Sequence, residues 1–459
     1  MGKIPTILVI AILVPLTLFA VFQNQDLRRA AFGKRANIVI DASRPGARIS
    51  ANLWQNFAQG GEEPKNMLAP VAKQVKNLNP KIIRIDHIFD YYVKINPAAA
   101  GQVNYDFSAL DEVVKTILET GARPMFSISY MPSQLTSKSS VSPPSDWSQW
   151  RCLVSALVTH YSGRNDYNIN NVYYEVWNEP DLFGRWRYNK NPNYLTLYYH
   201  TAAAAQSAVN ANPFKIGGPA TTGFYPNWIK ALLKFCHQNR LRIDFVSWHR
   251  YAKNLEVYQS DFEKLNKILT NYPKYFSLER LITEFGPDSE NSPWYNNQIS
   301  AIHSIASAVK LLGKVHRVFA FEIKDGPNKI HNWGLITHEN IGGKPKPRYY
   351  AYQFLNQLTG NRLPLEGEGS WVTGAAVQNG RGIKVLIVNY DQANRHFEAP
   401  TITLKNITPG SYVFHQKYFL GKTTASRETI NGASVTKKII LEPNSAAILE
   451  WRLIAPSKK

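Results

Sequence analysis

Short apolar runs alternate with amphipathic stretches between residues 81 and 323, and this alternation predicts the fold. Apolar runs rich in Ile, Val, Phe and Tyr are typical of buried strands, whereas apolar residues three and four positions apart are typical of helices. Their alternation predicts a parallel sheet with covering helices, and about eight such units suit a (β/α)8 TIM barrel of the α/β class. An open doubly wound sheet is the alternative, but no Gly-rich phosphate loop supports it. The predicted strands are 81–85, 123–129, 172–177, 215–218, 244–248, 281–284 and 317–323, with the first strand near 49–54, and the predicted helices are 110–120, 147–161, 195–210, 228–237, 261–270 and 299–312.

The pattern changes after Leu358, where short segments of alternating apolar and polar residues are separated by Gly, Asn and Asp turns. This pattern predicts an accessory β-sandwich of about one hundred residues. The period-two run 37–41 is assigned to the same sandwich. The predicted domains are an N-terminal segment (1–35), the barrel (36–358, of which 36–48 contributes a sandwich strand) and the sandwich (359–459). We favour a role in bracing the barrel over a role in binding sugar.

The N-terminal residues 4–22 carry no charge, and a helix of 19 residues is about 28 Å long, close to the thickness of a bilayer core. Because this run exceeds a typical signal-peptide core and no small-residue cleavage site follows it, we predict an uncleaved transmembrane signal anchor over a removed signal peptide. The flanking charges oppose export, since Lys3 alone precedes the run and four basic residues follow it between Arg28 and Arg35. A large folded domain beyond the run favours export, so we predict an extracytoplasmic protein, membrane-anchored or secreted.

The composition is that of a folded protein, since 44% of the 459 residues are hydrophobic and 19% are charged. The net charge of +20 suits an acidic polysaccharide partner or an anionic surface, but scattered lysines also fit a general basic bias, which we favour. No nucleic-acid-binding motif accompanies the charge, so we expect no such partner. Cys152 and Cys236 are expected to be buried free thiols, because the barrel order would put them on helices that are not neighbours, and two cysteines alone cannot form a metal cluster.

Two glutamates stand where apolar runs end. Glu179 follows the run 172–177 and precedes a proline, and Glu284 ends the run 281–284 just before a Gly-Pro pair. The carboxyl ends of barrel strands meet at one mouth, so the two side chains are expected to converge there. Glycoside hydrolysis needs one carboxylic acid to protonate the leaving oxygen and one carboxylate to attack or to activate water. A structural ion pair at the barrel rim is the alternative.

With these glutamates come several motifs that, in this order, resemble the retaining glycoside hydrolases of clan A and within it family 39, which contains β-xylosidases, α-L-iduronidases and some exopolysaccharide hydrolases. The resemblance covers most of residues 80–355. It implies that Glu179 is the general acid/base, that Glu284 is the nucleophile and that Asn178 holds the sugar 2-hydroxyl. The motifs are Ile83-Arg84-Ile85, Tyr105-Asp106-Phe107 with Leu110-Asp111, Arg123-Pro124, Tyr130-Met131-Pro132-Ser133, Trp177-Asn178-Glu179-Pro180, Gly217-Gly218-Pro219-Ala220, Asp244-Phe245-Val246-Ser247-Trp248-His249 and Thr283-Glu284-Phe285.

Other candidate residues follow from strand ends and from the resemblance. Arg84 matches the family arginine that bonds the nucleophile, and an interior ion pair with Glu175 is its alternative. His249 and Tyr251 share strand parity, and the resemblance implies that the tyrosine lies beside the nucleophile, whereas the histidine could also be an ordinary core residue. The candidate platforms for sugar rings, each equally compatible with packing, are Trp54, Tyr130, Trp186 and Trp333.

The chain departs from the family at the eighth strand, where clan members carry a tryptophan that floors the −1 subsite. Here the segment reads Phe-Ala-Phe-Glu-Ile-Lys-Asp over residues 319–325. Glu322 or Lys324 is therefore a candidate contact for a charged sugar, and a pair between them is the alternative. The predicted function is a retaining glycosidase without metal or cofactor. A non-catalytic carbohydrate-binding protein and a transglycosylase are the competing functions, and the sequence leaves the oligomeric state open.

Overall fold

The computed structural model describes residues 33–97, 103–290, 292–328 and 332–456. Within these ranges the chain forms two compact units, one of Arg48–Thr359 and one of the described parts of Met1–Ala47 and Gly360–Lys459. The predicted membrane-spanning run 4–22 lies outside the described residues. Among the described helices, none has the length and apolar character that a membrane crossing requires.

Eight parallel strands close into a barrel in the first unit, which confirms the predicted TIM barrel. Each strand pairs with its neighbour in the chain, and the eighth pairs with the first, with Phe319 opposite Asn56. Nearly every strand position is buried, as expected where helices cover the outside and side chains fill the interior. The barrel strands are β1 (Asn56–Gln59), β2 (Ile82–Ile85), β3 (Arg123–Ile128), β4 (Tyr173–Val176), β5 (Lys215–Thr221), β6 (Phe245–Tyr251), β7 (Glu279–Gly286) and β8 (Arg317–Phe321).

The helices of this unit form where the sequence is amphipathic and begin at residues that cap them. Asp146 and Asn193 each accept a hydrogen bond from the backbone N–H two residues later, at the start of the helices that follow β3 and β4. A two-stranded sheet, Lys94–Pro97 with Val103–Asp106, was not predicted. The described α-helices are Ala72–Lys76, Ile88–Tyr92, Ser108–Glu119, Trp147–Ser162, Tyr194–Gln206, Pro226–Gln238, Glu256–Thr270, Gln298–Leu311 and Pro347–Leu355.

The first barrel strand was placed too early at 49–54. Ser50 instead caps a single 3-10 turn, Ala51–Leu53, by accepting a hydrogen bond from the Asn52 N–H. Trp54 is 2% exposed, and its indole N–H donates to Asn356 Oδ1 at 3.0 Å. Because it precedes β1, it lies at the amino-terminal end of the barrel, opposite the mouth. The prediction that Trp54 is a sugar platform is therefore wrong, and its role is packing.

The second unit is an additional β-sheet domain made of two sheets that contribute to one hydrophobic core. The run Asn37–Asp41 pairs in parallel with Thr401–Lys405, as its assignment to the sandwich required. Ile38, Ile402 and Leu449 lie in the common core and are completely buried. The strand order in the four-stranded sheet is Leu365–Glu366, Asn37–Asp41, Thr401–Lys405, Ser434–Lys438. The strand order in the six-stranded sheet is Asn361–Leu363, Val372–Asn379, Gly382–Asn389, Ser445–Pro456, Gly410–Tyr418, Thr423–Ile430.

Both cysteines are free thiols, as predicted, but only one is buried. Cys236 lies on the inner face of its helix, and burial raises the pKa of its thiol to about 12. Cys152 is exposed, which corrects the expectation that both are buried. It occupies the solvent face of Trp147–Ser162, whose buried positions include Trp150 and Leu153.

Candidate active site

Arg84 lies at the centre of the barrel mouth and is completely buried. Its Nε donates to Glu175 at 2.6 Å, its Nη1 to Glu284 at 3.0 Å and its Nη2 to the side-chain oxygen Oδ1 of Asn178 at 2.8 Å. The two alternatives considered for Arg84 therefore hold together, because one guanidinium forms the interior ion pair and also bonds the candidate nucleophile. A buried, fully bonded arginine fixes the orientation of the groups around it.

Glu179 stands in the turn that follows β4, at the same end of the barrel. The backbone is left-handed at Trp177 (φ +72°) and at Glu179 (φ +45°), a conformation that tryptophan and glutamate adopt rarely. The Glu179 N–H donates to the Ala220 carbonyl at 3.0 Å, which ties the turn to β5. The side chain is 13% exposed, and its Oε1 lies 2.8 Å from His249 Nδ1.

Glu284 lies on β7 with a side chain that is 7% exposed. Its Oε2 accepts a hydrogen bond from the Tyr251 hydroxyl at 2.7 Å, and its Oε1 accepts one from Arg84. Burial and proximity to Glu284 raise the pKa of Tyr251, so the phenol keeps its proton and donates. Both carboxylate oxygens of Glu284 thus accept bonds that favour an ionised side chain.

The carboxyl groups of Glu179 and Glu284 lie close together, as the convergence of strand ends predicted. One oxygen of each and a ring nitrogen of His249 all lie within 4.8 Å of one another. Inverting glycosidases hold their carboxyl groups about 6.5–9.5 Å apart to admit a water, whereas retaining ones hold them about 5–5.5 Å apart. A bound of 4.8 Å between one oxygen of each carboxyl is closer to the retaining spacing than to the inverting one.

The two carboxyls differ in their affinity for a proton. Burial, followed by the charge of Asp181, raises the pKa of Glu179 to about 8. Burial also raises the pKa of Glu284, to about 7, but the charges of His249 and Arg84 oppose the rise. The direction of this difference favours the proton on Glu179 and the ionised form on Glu284. This is the arrangement of one acid and one ionised nucleophile.

His249, Asn178 and Tyr130 connect the pair to the surrounding mouth. His249 is completely buried on β6, and burial lowers its pKa, an effect that the charge of Glu284 partly offsets. Its Nδ1 lies 2.8 Å from Glu179 and 3.4 Å from Glu284. The Asn178 amide donates to the Tyr130 hydroxyl at 2.9 Å, and Tyr130 is only 3% exposed. Tyr130 thus lies in the site as a hydrogen-bond partner of Asn178 rather than as an open platform.

The remaining aromatic candidates divide between packing and site. Trp186 is completely buried with its ring edge-on to Trp177 at 5.4 Å, so its role is packing and the platform prediction is wrong. Trp333 is half-buried, and its ring lies 6.1 Å from Phe321. Phe321 in turn lies 6.3 Å from Tyr251. Phe321 and Trp333 therefore form the aromatic side of the mouth where the family tryptophan was missing.

Glu322 and Lys324 do not pair with each other, which corrects that alternative. Glu322 accepts a hydrogen bond from the Gln59 side chain at 2.8 Å, whereas the ammonium of Lys324 bonds to Glu339. Glu62, which also accepts from Gln59 at 3.3 Å, was not identified from the sequence. It lies in the loop after β1, where no periodic signal marks it.

Asp86 was also missed, although a signal existed. It follows Arg84 by two residues and so shares the strand parity that turns Arg84 into the barrel. Its Oδ2 lies 3.3 Å from the Asn178 amide nitrogen, and the residue is 7% exposed. Asp86 therefore belongs to the mouth. The expectation that the reaction needs no metal or cofactor stays a prediction.

A sequence model of Glycosyl hydrolases family 39 matches residues 38–375. The chain belongs to this family. The Beta-xylosidase of Geobacillus stearothermophilus is 31% identical over 303 residues, which are 58% of this chain and 58% of that protein. The Beta-xylosidase of Caldicellulosiruptor saccharolyticus is 27% identical over 323 residues, 63% of this chain and 65% of that protein. The chain thus matches less than two thirds of the length of each relative.

The fold is similar to that of the GH39 enzyme from Xanthomonas axonopodis pv. citri. The TM-score is 0.74 at 19% identity, over 92% of this chain and 98% of that chain. At 19% identity this similarity shows a shared fold and nothing more specific. The family membership and the barrel, which the motifs had predicted, are confirmed.

For this family 39 member we expect kcat/KM to fall below about pH 7, where Glu284 gains a proton, and above about pH 8, where Glu179 loses one. Asp181→Asn removes a negative charge that raises the pKa of Glu179. The basic limb should therefore move to lower pH while the acidic limb stays. Asp288→Asn, a neutralisation after β7, is the matched control and should move neither limb. A basic limb unmoved by Asp181→Asn would contradict the assignment of that limb to Glu179.

Proposed function

We propose that the protein is a retaining glycoside hydrolase that cleaves O-glycosidic bonds of a poly- or oligosaccharide by double displacement. Glu284 attacks the anomeric carbon while Glu179 protonates the leaving oxygen, which yields a glycosyl-enzyme ester and a free alcohol. Ionised Glu179 then removes a proton from water, which attacks the same carbon and releases Glu284. The observation that carries this proposal is the separation of at most 4.8 Å between oxygens of the two carboxyls.

The change of charge on Glu284 links the two steps. Esterification removes its negative charge, and in general a negative charge nearby raises the pKa of a carboxyl group. The pKa of Glu179 then falls, and the residue changes from acid to base. Arg84 and Tyr251, which bond the carboxylate of Glu284, orient it for attack and take up its charge again when the ester is hydrolysed.

The test is the anomeric configuration of the first product. Aryl β-xyloside, β-glucoside, β-galactoside and α-L-iduronide should be screened, and the cleaved one followed by proton NMR. A product with the configuration of the substrate supports double displacement, and the opposite configuration overturns it. Product profiles with and without an added sugar acceptor separate hydrolysis from transglycosylation. Sugar binding without turnover of any glycoside would favour the carbohydrate-binding alternative.

We also propose that the protein is extracytoplasmic and tethered by the uncharged run 4–22, with the domain boundaries at about 35 and 358 predicted from the sequence. The support is the 19-residue length of that run. The full chain should sediment with membranes and keep its first residues, and its barrel should be accessible to protease outside intact cells. A chain that begins at Ala36 should be released and remain active. A processed terminus between Ala20 and Ala31 would overturn the anchor.

A further inference from the structure

Three carboxyl groups that the two-glutamate mechanism does not use lie together at the barrel mouth. Asp86 directly follows β2, Glu322 directly follows β8, and Glu62 lies in the loop after β1. Because β8, β1 and β2 are neighbours, these groups occupy one side of the mouth. We call Asp86, Glu62 and Glu322 the acceptor wall.

Asp86 faces the catalytic pair. One of its carboxylate oxygens contacts the Asn178 amide at 3.3 Å, and Asn178 is adjacent to Glu179 in the chain. After burial, which is the main cause, the charge of Asp86 contributes to the raised pKa of both Glu179 and Glu284. The other oxygen, Oδ1, is buried without a hydrogen-bond partner among the described residues. An unpartnered buried carboxylate oxygen calls for a donor from a ligand.

Glu322 and Glu62 form a carboxyl pair beside the aromatic side of the mouth. Glu322 is completely buried and accepts from Gln59, and because burial raises its pKa well above the usual range, it keeps a proton and donates it to Glu62. Its Oε1 has no hydrogen-bond partner among the described residues. A Cβ added at Gly60 would lie 2.5 Å from the Glu62 Oε1 and 3.0 Å from the ring tip of Phe321, so Glu62 lies close to that ring. Phe321 neighbours Tyr251, which bonds the nucleophile.

The cations at this mouth are already bonded, and they include His87, which follows Asp86 and whose Nδ1 lies 2.9 Å from Asp90 Oδ2. The three guanidinium nitrogens of Arg84 bond to Glu175, Glu284 and Asn178. Lys324 contacts Glu339, and Lys346 bonds to Asp325 at 2.9 Å. A carboxylate on the sugar would therefore meet acceptors and negative charge on the side of the wall. Juxtaposed like charges disfavour binding and are a common source of specificity.

On the basis of the proposed glycosidase function, we propose that Asp86, Glu62 and Glu322 bind the glycone through its hydrogen-bond donors, hydroxyl or ammonium groups, and exclude uronic acids. The substrate is then a neutral or amino sugar, although the net charge of the whole chain is positive. The local electrostatic potential at the barrel mouth, and not the net charge of the chain, determines which glycone binds.

The test compares substrates that differ only at C6. We expect kcat/KM for aryl β-glucoside and β-galactoside to exceed that for the corresponding glucuronide and galacturonide by roughly 100-fold or more. An aryl β-glucosaminide distinguishes hydroxyl recognition from ammonium recognition. If the ammonium group is recognised, kcat/KM for the glucosaminide should exceed kcat/KM for the glucoside. If kcat/KM for the uronides equals that for the corresponding neutral glycosides, the proposal is overturned.

Variants assign the selectivity to the wall. Asp86→Asn and Glu62→Gln keep the shape and remove charge, so each should lower the neutral-to-uronide ratio by roughly tenfold. The ratio cancels a general loss of activity. Glu63→Gln is the matched control, because Glu63 is adjacent but ion-paired with Lys65, and it should leave the ratio unchanged. A ratio unaffected by both wall variants would overturn the proposal.

Binding separates this proposal from the proposed function. Calorimetry with deoxynojirimycin and its 6-carboxylate analogue compares the same two C6 groups without turnover. Tighter binding of the neutral compound by a protein that hydrolyses no glycoside would support the wall and overturn the hydrolase. Equal binding of both, or tighter binding of the carboxylate, would overturn the wall.

Discussion

Replacement of Glu284 by alanine is expected to lower kcat by at least about 10³-fold, because it removes the group that forms the covalent intermediate. Azide or formate should restore part of the activity, since a small anion can occupy the vacated position and attack the anomeric carbon from the same side. With the β-glycosides, the glycosyl azide formed should have the inverted configuration. Chromatography and NMR of the product measure this outcome. A restored product of retained configuration would contradict the role of Glu284.

Stability distinguishes a catalytic loss from a folding loss. Burial raises the pKa of Glu284 to about 7, so above the pKa of the unfolded chain its ionisation destabilises the folded state. Glu284→Ala removes this cost but also takes one partner from Arg84, so the two effects oppose each other and the thermal midpoint should stay near its original value, whereas ordinary buried truncations lower it. Glu175→Ala is the matched control, since Glu175 bonds the same arginine but is completely buried. It should lower the midpoint by leaving Arg84 short of a partner, and azide should not restore its activity.

The catalytic pair was predictable because each glutamate ends an apolar run just before a proline breaker, and a parallel barrel brings such ends together. Four of the six predicted helices match within two residues at each end, since their apolar faces repeat at helical spacing. Helix Gln298–Leu311, for example, was predicted as 299–312. Long periodic segments carry enough signal to fix both the type of an element and its position.

The first strand and the missed sandwich strand show where that signal fails. The apolar content of 49–54 suggested a strand, but the Ser50 cap turns the chain, and the strand that follows contains the buried polar residues Asn56 and Gln59. Thr423–Ile430 was missed because nearly all its positions are exposed, so no alternation of apolar and polar residues marks it. Local capping and edge position thus override the periodic pattern.

The acceptor wall escaped prediction for a related reason. Asp86 shares parity with Arg84, so its direction was readable, but nothing in the sequence indicates that one of its oxygens lacks a partner. Glu62 reaches the mouth from a loop, and Gln59 brings it beside Glu322, 260 positions later in the chain, by bonding to both. Contacts made by loops depend on the closure of the barrel, where β8 meets β1, and not on any local pattern.

Replacement of Glu179 by glutamine is expected to lower kcat/KM for glycosides with poor leaving groups by roughly 10²–10⁴-fold, because only those need a proton on the departing oxygen. A dinitrophenyl glycoside leaves without that proton, so its first step should be nearly unaffected. Hydrolysis of the glycosyl-enzyme also loses its base, and the intermediate should therefore accumulate and be detected by mass spectrometry of the intact protein.

Azide separates the acid/base from the nucleophile. With Glu179→Gln, azide needs no base to attack the glycosyl-enzyme, so turnover of the activated substrate should recover with a glycosyl azide of retained configuration, the opposite of the product expected from Glu284→Ala. The hydrogen bond between Glu179 and His249 at 2.8 Å can be kept by the amide, so the fold of the turn should not change. Equal losses for good and poor leaving groups, or an inverted azide product, would contradict the assignment, because each would mean that Glu179 acts in the bond-forming step and not on the proton.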